Sequence, residues 1–418
     1  MFFVVFVIFV SLRYSVARVG AQEFSQRGFV DGSAFVFPQQ APNDPTRLVG
    51  DLLIREEAFY RPTAWLQFAG GIDGRANTHD QVADSWAVDF QDRGIKRPRL
   101  EIRRASVTVS RGPVTLEAGK QFVRWGKTDI VTPTDRFAPR DFMNVVDNDF
   151  LAITAARLSA RRGGEAVEAV WSPRLTPSRL PLFDQRWFAA AGTTPAIQVV
   201  DGGSAVPDGS QFGVRWTHAG RLFESAVSFY DGFNHQPLLA TTINPIAPGV
   251  VITREYPSVR VYGADAAVPT RWVTIKGEAA YFGSGPADAD EFVLFVVQLE
   301  RQTGEWVLIG GYAGDIVTRA AAGQGPGSQA VEFSPERGLS RAIVGRASYT
   351  IDTNRSAAFE AAVRQNGDGV YGKAEFSQAR GEHWRATVAV VGIGGRDDDF
   401  LGAYRRNSHV LAGVRYSF

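Results

Sequence analysis

The feature that most constrains this chain is the parity of its connections. Stretches of about ten residues with alternating or apolar-rich character, bounded by Gly, Pro, Asn and Asp, read as strands. They fall at 28–38, 49–60, 63–73, 98–109, 113–125, 150–161, 165–172, 210–218, 221–231, 256–265, 270–282, 291–301, 304–316, 340–351, 355–365, 369–379, 382–393 and 409–418. Even strands pass to the next odd one through tight turns: Arg61-Pro62, Ser110 to Gly112, Arg162 to Gly164, Ala219-Gly220, Ala266 to Pro269, Gln302-Thr303, Asp352 to Asn354 and Arg380-Gly381. Odd strands pass to even ones mostly through long loops, at 39–48, 74–97, 126–149, 173–209, 232–255, 317–339 and 394–408, with shorter joins at 283–290 and 366–368. Short connections at one end and long ones at the other are the layout of a membrane-spanning barrel. A sandwich or propeller gives no reason for such parity. The predicted fold is therefore all-β: one transmembrane antiparallel β-barrel of about 18 strands, with 16 as the alternative.

The faces of these strands sort as lipid outside and water inside require. Phe212, Val214 and Trp216 alternate with Gln211, Arg215 and Thr217; Ile275, Ala279 and Tyr281 alternate with Thr274, Lys276 and Glu278. Ala357, Phe359, Ala361 and Val363 alternate with Ser356, Glu360 and Arg364. A charge on the lipid face near midplane costs roughly 2–4 kcal/mol, so the polar sets belong to the lumen. Strands 49–60 and 150–161 alternate poorly, and Lys120 falls on the outer face of 113–125, which points to a bulge or a misplaced boundary there.

Both ends of the chain agree. Val410, Ala412, Val414, Tyr416 and Phe418 share one face of a last strand that stops on an aromatic. At the other end, Phe2 to Val10 is an apolar run too short to span a bilayer, followed by small residues up to Ala21. It predicts a secretory leader over 1–21 and a barrel over 22–418, a retained strand or short anchor being the alternative. Arg13 and Arg18 follow the run instead of preceding it. No run of about 18 apolar residues occurs after residue 21, so any membrane crossing is made by strands. The chain has no cysteine, and a large hydrogen-bonded sheet needs no disulfides. A formal charge of +1 argues for no strongly charged partner, and nothing suggests nucleic acid.

On its leader, its loop parity and its aromatic-terminated last strand, the chain resembles the porin-like β-barrel proteins of Gram-negative outer membranes over nearly its whole length. Gly119 to Gly126, followed by Asp129, Pro133, Asp135 and Pro139-Arg140-Asp141, is loosely similar to alginate-export-like and related barrels. The resemblance implies an outer-membrane location in a lipid bilayer. It implies that Tyr416 and Phe418 are read by the barrel-insertion machinery. Homotrimers are what the class implies for assembly.

Loop 126–149 stands third among the long loops, where porins fold a loop into the channel. Lys127, Asp129, Asp135, Arg136, Arg140 and Asp141 are packed there among Phe137, Phe142 and Val145, and a solvated loop gains nothing from those apolar residues. It is expected to form the constriction, the alternative being a loop packed over the rim. The face assignment gives Arg104, Arg215, Arg260, Lys276, Arg346, Arg364, Lys373, Arg385 and Arg415 as basic lumen residues, against Glu117, Glu168, Glu224, Glu278, Glu360 and Glu375. So near a balance predicts weak anion preference at most, with many charges paired across strands.

Enzyme chemistry has little support. The five histidines show no metal-ligand spacing, there is no Gly-x-Ser-x-Gly, and no cofactor is expected. Asp397 to Asp399 and Asp288 to Glu291 read as solvated acidic tips, and Gly323 to Gly327 as a loop tip without phosphate-loop context. The functional reading is a channel for small hydrophilic solutes, with no more than a weak preference for anions. The alternatives are a scaffold barrel with a plugged lumen and, third, a polysaccharide exporter.

Overall fold

The computed structural model describes residues 23–188, 198–243, 249–285, 289–321, 331–365 and 367–418. The expected leader at 1–21, Asp288 and the glycine-rich tip 323–327 lie outside these residues. Eighteen strands form the wall. They are β1 (Glu23–Val36), β2 (Leu48–Thr63), β3 (Leu66–Asn77), β4 (Leu100–Arg111), β5 (Val114–Gln121), β6 (Ile153–Arg162), β7 (Glu165–Ser172), β8 (Gln211–Ala219) and β9 (Glu224–Phe233). The second half comprises β10 (Ser258–Pro269), β11 (Thr274–Ser284), β12 (Glu291–Thr303), β13 (Trp306–Arg319), β14 (Ala342–Thr350), β15 (Arg355–Arg364), β16 (Gly369–Arg380), β17 (Trp384–Gly395) and β18 (His409–Ser417). Each pairs antiparallel with the next, as the alternation and turn residues predict.

Closure is made by β1 against β18, with Val30 opposite Tyr416 and Val36 opposite Val410. The chain end completes the seam, because Phe418 exchanges backbone hydrogen bonds with Gly28 at 3.0 and 3.1 Å. A closed sheet leaves no unpaired edge, which a bilayer interior requires. Side chains expected to face lipid do so: Phe212, Trp216, Ile275, Phe359, Phe376, Val410 and Val414 are all exposed on the outer wall.

The misfit of Lys120 in 113–125 has a structural cause at Gly119. Its φ is +120°, and a Cβ there would lie 2.2 Å from the Ala105 carbonyl oxygen, so only glycine fits. Two residues later the strand ends, at 121 and not 125, and the chain turns away from the wall. Val88–Asp89 takes its place beside β4, pairing with Leu100 and Glu101. This inserted segment carries Asp92, which accepts a 2.6 Å bond from Lys120; both side chains are almost fully buried and the Phe90 ring lies alongside. Lys120 is thus neutralised within the wall.

Long loops also build structure of their own. Strands at 198–205, 249–255, 238–243 and 331–332 form a separate four-stranded sheet at the long-loop end, drawn from three different loops.

Candidate functional site

Segment 122–152, between β5 and β6, reaches the inner face of strands across the barrel. Glu278 on β11 accepts the Thr134 amide and hydroxyl, both at 2.8 Å, the Thr128 amide and hydroxyl, both at 3.0 Å, and the Lys127 amide at 2.7 Å. Gln298 on β12 accepts the Asp129 amide at 2.8 Å and donates to the Asp129 carboxylate at 2.6 Å. Apolar contact accompanies these bonds. Val123, Trp125, Val131 and Phe137 pack with Tyr230, Val261, Phe282, Leu294 and Val296 in one buried cluster.

The six loop residues singled out in sequence divide by role. Asp135 braces the segment from within, accepting from the Trp125 amide, the Gly126 amide at 2.7 Å and Arg124 at 2.7 Å. Lys127 pairs with Glu224, and Asp129 with Lys276 at 3.1 Å. Arg136 is 5% exposed, lies over the Phe282 ring and pairs with Glu336 at 3.0 Å. Arg140 donates to Asn148 at 3.0 Å and stacks on Phe150; burial pushes its pKa down. Asp141 accepts from Arg97 at 2.8 Å and Arg179 at 2.6 Å. Burial alone would raise its pKa, but those guanidiniums outweigh it and hold the carboxyl well below the ordinary range.

A second inward segment escaped the sequence reading. Residues 173–188 lie buried instead of forming a solvated loop, with Leu175, Leu180, Leu182, Phe183 and Trp187 all shielded. It extends from β7 to the β18–β1 side, where Arg186 donates to the Thr46 carbonyl and stacks on Phe37, and Trp187 packs beside Tyr404 and His409. The apolar cluster Leu180, Leu182, Phe183 and Trp187 was the available signal.

A cavity of about 240 Å³ remains between these two segments and the wall of β1, β2, β3 and β18. Asp141, Asp147 and Asp149 border it from the first segment, Arg186 and Trp187 from the second, and Asp31, Arg75 and Arg415 from the wall. This wall alternates guanidinium with phenyl down its height. Arg55 and Arg415 lie 5.3 and 4.2 Å from the Phe29 ring, Arg27 lies 5.4 Å from Phe59, and Arg103 and Arg104 lie 4.7 and 5.3 Å from Phe122. Carboxylates partner several of them: Arg27 with Glu57 at 2.7 Å, Arg55 with Asp73 at 2.8 Å and Arg415 with Asp31 at 2.7 Å. Sequence alternation misses Arg27, Arg55, Arg75 and Arg103: Arg27 precedes the expected first strand and Arg75 falls in the expected loop 74–97, β2 with Arg55 does not alternate cleanly, and a register shift in β3–β4 breaks the period at Arg103.

Register places Arg104, Arg215, Lys276, Arg346, Arg364, Arg385 and Arg415 on the inner face. Arg215 meets Asp265 at 2.7 Å, Lys276 meets Glu300 at 2.7 Å, Arg346 meets Glu360 at 3.5 Å and Arg364 meets Asp399 at 3.2 Å. Arg385 sits opposite Arg415 across the β17–β18 pair. Arg260 is a correction: it lies on the outer face with Tyr262 and pairs with Asp231 at 3.1 Å. The rule that apolar residues face lipid fails locally, because Val259 and Val261 turn inward to pack under the crossing segment.

No protein-family model matches this chain, and no curated protein does. Solved structures do. A BenF-like porin from Pseudomonas fluorescens superposes with a TM-score of 0.55 at 8% identity, covering 96% of this chain and 99% of that one. OccAB4 of Acinetobacter baumannii gives 0.53 at 10% identity, over 95% and 98%. OpdQ of Pseudomonas aeruginosa gives 0.52 at 8%, over 96% and 99%. At such identities the likeness is one of fold: a closed 18-strand outer-membrane barrel.

Proposed function

We propose that this chain is an outer-membrane channel for small hydrophilic solutes, with a preference for anions, in which segment 122–152 narrows the passage. The observation that carries the reading is the guanidinium and phenyl wall beside the cavity. Stacking and ion pairs hold the guanidinium planes in fixed orientation, and a row of oriented donors replaces part of the hydration of a passing anion. Asp147 and Asp149 border the same cavity, Asp149 within 3.7 Å of Arg55, so charges of both signs line the passage and disfavour apolar solutes. In the same reading residues 1–21 are a cleaved leader, Tyr416 and Phe418 present the strand end to the insertion machinery, and the tight turns face the periplasm. A homotrimer is the assembly that the resemblance to porins suggests for this reading.

Reconstitution in planar bilayers tests it. Discrete ohmic steps with a reversal potential on the anion side support the channel. Silence from a folded barrel would favour the second reading, a scaffold, for which the two inward-folded segments 122–152 and 173–188 speak.

A further inference from the structure

The tight-turn end of the barrel carries a feature that solute passage does not use. Every tight turn bears an exposed arginine in it or at its edge, from Arg61 and Arg111 through Arg221 and Arg271 to Arg355 and Arg380, and the third bears both Arg161 and Arg162. Arg61 pairs with Glu23 and Arg355 with Asp352. Among the described residues the others have no carboxylate partner. Glu165, Glu224, Glu305 and Glu382 share this end but are outnumbered, and Glu165 is engaged by His218 at 2.6 Å and Glu224 by Lys127. The long-loop end is mixed: Arg396 and Arg405 pair there with Asp398 and Asp397, whereas Arg47, Arg174 and Arg406, scattered over three different loops, are exposed without a carboxylate partner among the described residues.

These guanidiniums lie at a defined depth. Arg111 sits 5.1 Å from the Trp65 ring, and Arg271 and Arg301 sit 5.0 and 5.8 Å from Trp272. Trp65, Trp272, Leu222 and Phe223 are exposed, and Trp216, Trp306, Trp384 and Tyr416 lie just above them on the outer face. Such aromatics mark the boundary between hydrocarbon and headgroup. A basic ring immediately beyond it stands at the level of lipid phosphates.

We propose that this ring binds the headgroups of anionic phospholipids in the leaflet reached by the tight turns. A guanidinium fork matches phosphate oxygens in pairs, and stacking on indole holds it ready. The distribution selects lipid over an acidic protein, because the cations follow the whole circumference and not one side or the mouth. The inference is independent of whether the barrel conducts.

The test uses the full-length barrel in nanodiscs of mixed phosphatidylglycerol and phosphatidylcholine, with co-purifying lipid counted by native mass spectrometry. One arginine near an anionic surface is worth about a fivefold gain in affinity, so wild-type protein should retain phosphatidylglycerol well above its share of the mixture. The variant R111Q/R161Q/R162Q/R221Q/R271Q/R301Q should lose that enrichment. Heat-modifiability on gels establishes that it is folded, and R161Q/R162Q alone, with part of the loss, serves if it is not. Equal lipid composition around wild type and either folded variant overturns the proposal. So does stabilisation of the wild type by inorganic phosphate as large as by the lipid, or capture of soluble polyglutamate without lipid enrichment.

Discussion

Glu278 and Thr134 are joined by two 2.8 Å hydrogen bonds, from the threonine amide and from its hydroxyl, although 144 residues separate them in the chain. Glu278 is 2% exposed and gathers three further donors from Lys127 and Thr128, so one wall carboxylate organises the crossing segment. Replacing Glu278 with Ala leaves buried donors unpaired and should cost about 3–5 kcal/mol of docking free energy. We expect larger, noisier conductance steps from a barrel that remains heat-modifiable. Steps of unchanged size and noise would show that the segment is held elsewhere.

The absence of cysteine makes the docking directly testable by cross-linking. A Cβ at Gly263 would lie 3.4 Å from that of Thr134, close to the usual disulfide separation of about 3.8 Å. The double variant Thr134→Cys, Gly263→Cys should oxidise readily and show a mobility shift in denaturing gels that reductant removes. Failure to cross-link in the folded barrel contradicts the docked position.

Selectivity should reside in the wall guanidiniums beside the cavity. Arg55→Ala with Arg415→Ala is expected to move the reversal potential toward cations by a several-fold change in permeability ratio. Arg136→Ala should leave it unchanged, because that side chain is buried against Phe282 and Glu336; its loss is expected instead to weaken docking by about 3 kcal/mol. Reversed outcomes would assign the filter to the segment.

His235 predicts a mild acid sensitivity. It accepts or donates at 2.8 Å to Ser178 and is fully buried; burial, then the charges of Arg136 and Arg140, pushes its pKa well below the usual 6.5. The unfolded chain binds this proton near pH 6.5 and the folded one does not, so stability is complete above that pH and declines as pH falls below it. Asp129 and Asp141, with lowered pKa values, act in the same direction only below about pH 4. Melting temperature should therefore fall more between pH 7 and pH 5 in the wild type than in His235→Gln.

Gly119→Ala should destabilise the barrel by at least about 2–3 kcal/mol, since both the φ of +120° and the Ala105 carbonyl oppose a side chain. Urea titration of tryptophan fluorescence reads this directly. A neutral result would mean that β5 can leave the wall without that kink.

Strand number, order, turn parity and most outward faces follow from the sequence alone, because alternation and turn chemistry act over a few residues. Trp216, Phe359 and Val414 face lipid whatever lies across the barrel. The site depended on distance contacts. Under the crossing segment the inner wall becomes apolar, so Val259 and Val261 turn inward and Arg260 outward, and Phe292 to Val297 is apolar on both faces; period two carries no information there. That Lys120 would find Asp92, that Glu278 would clamp Thr134 and that 173–188 would extend to β18 were decided only by which strands stand opposite once the barrel closes. No local pattern encodes that, because closure joins residues whose separation in sequence bears no relation to their separation in space.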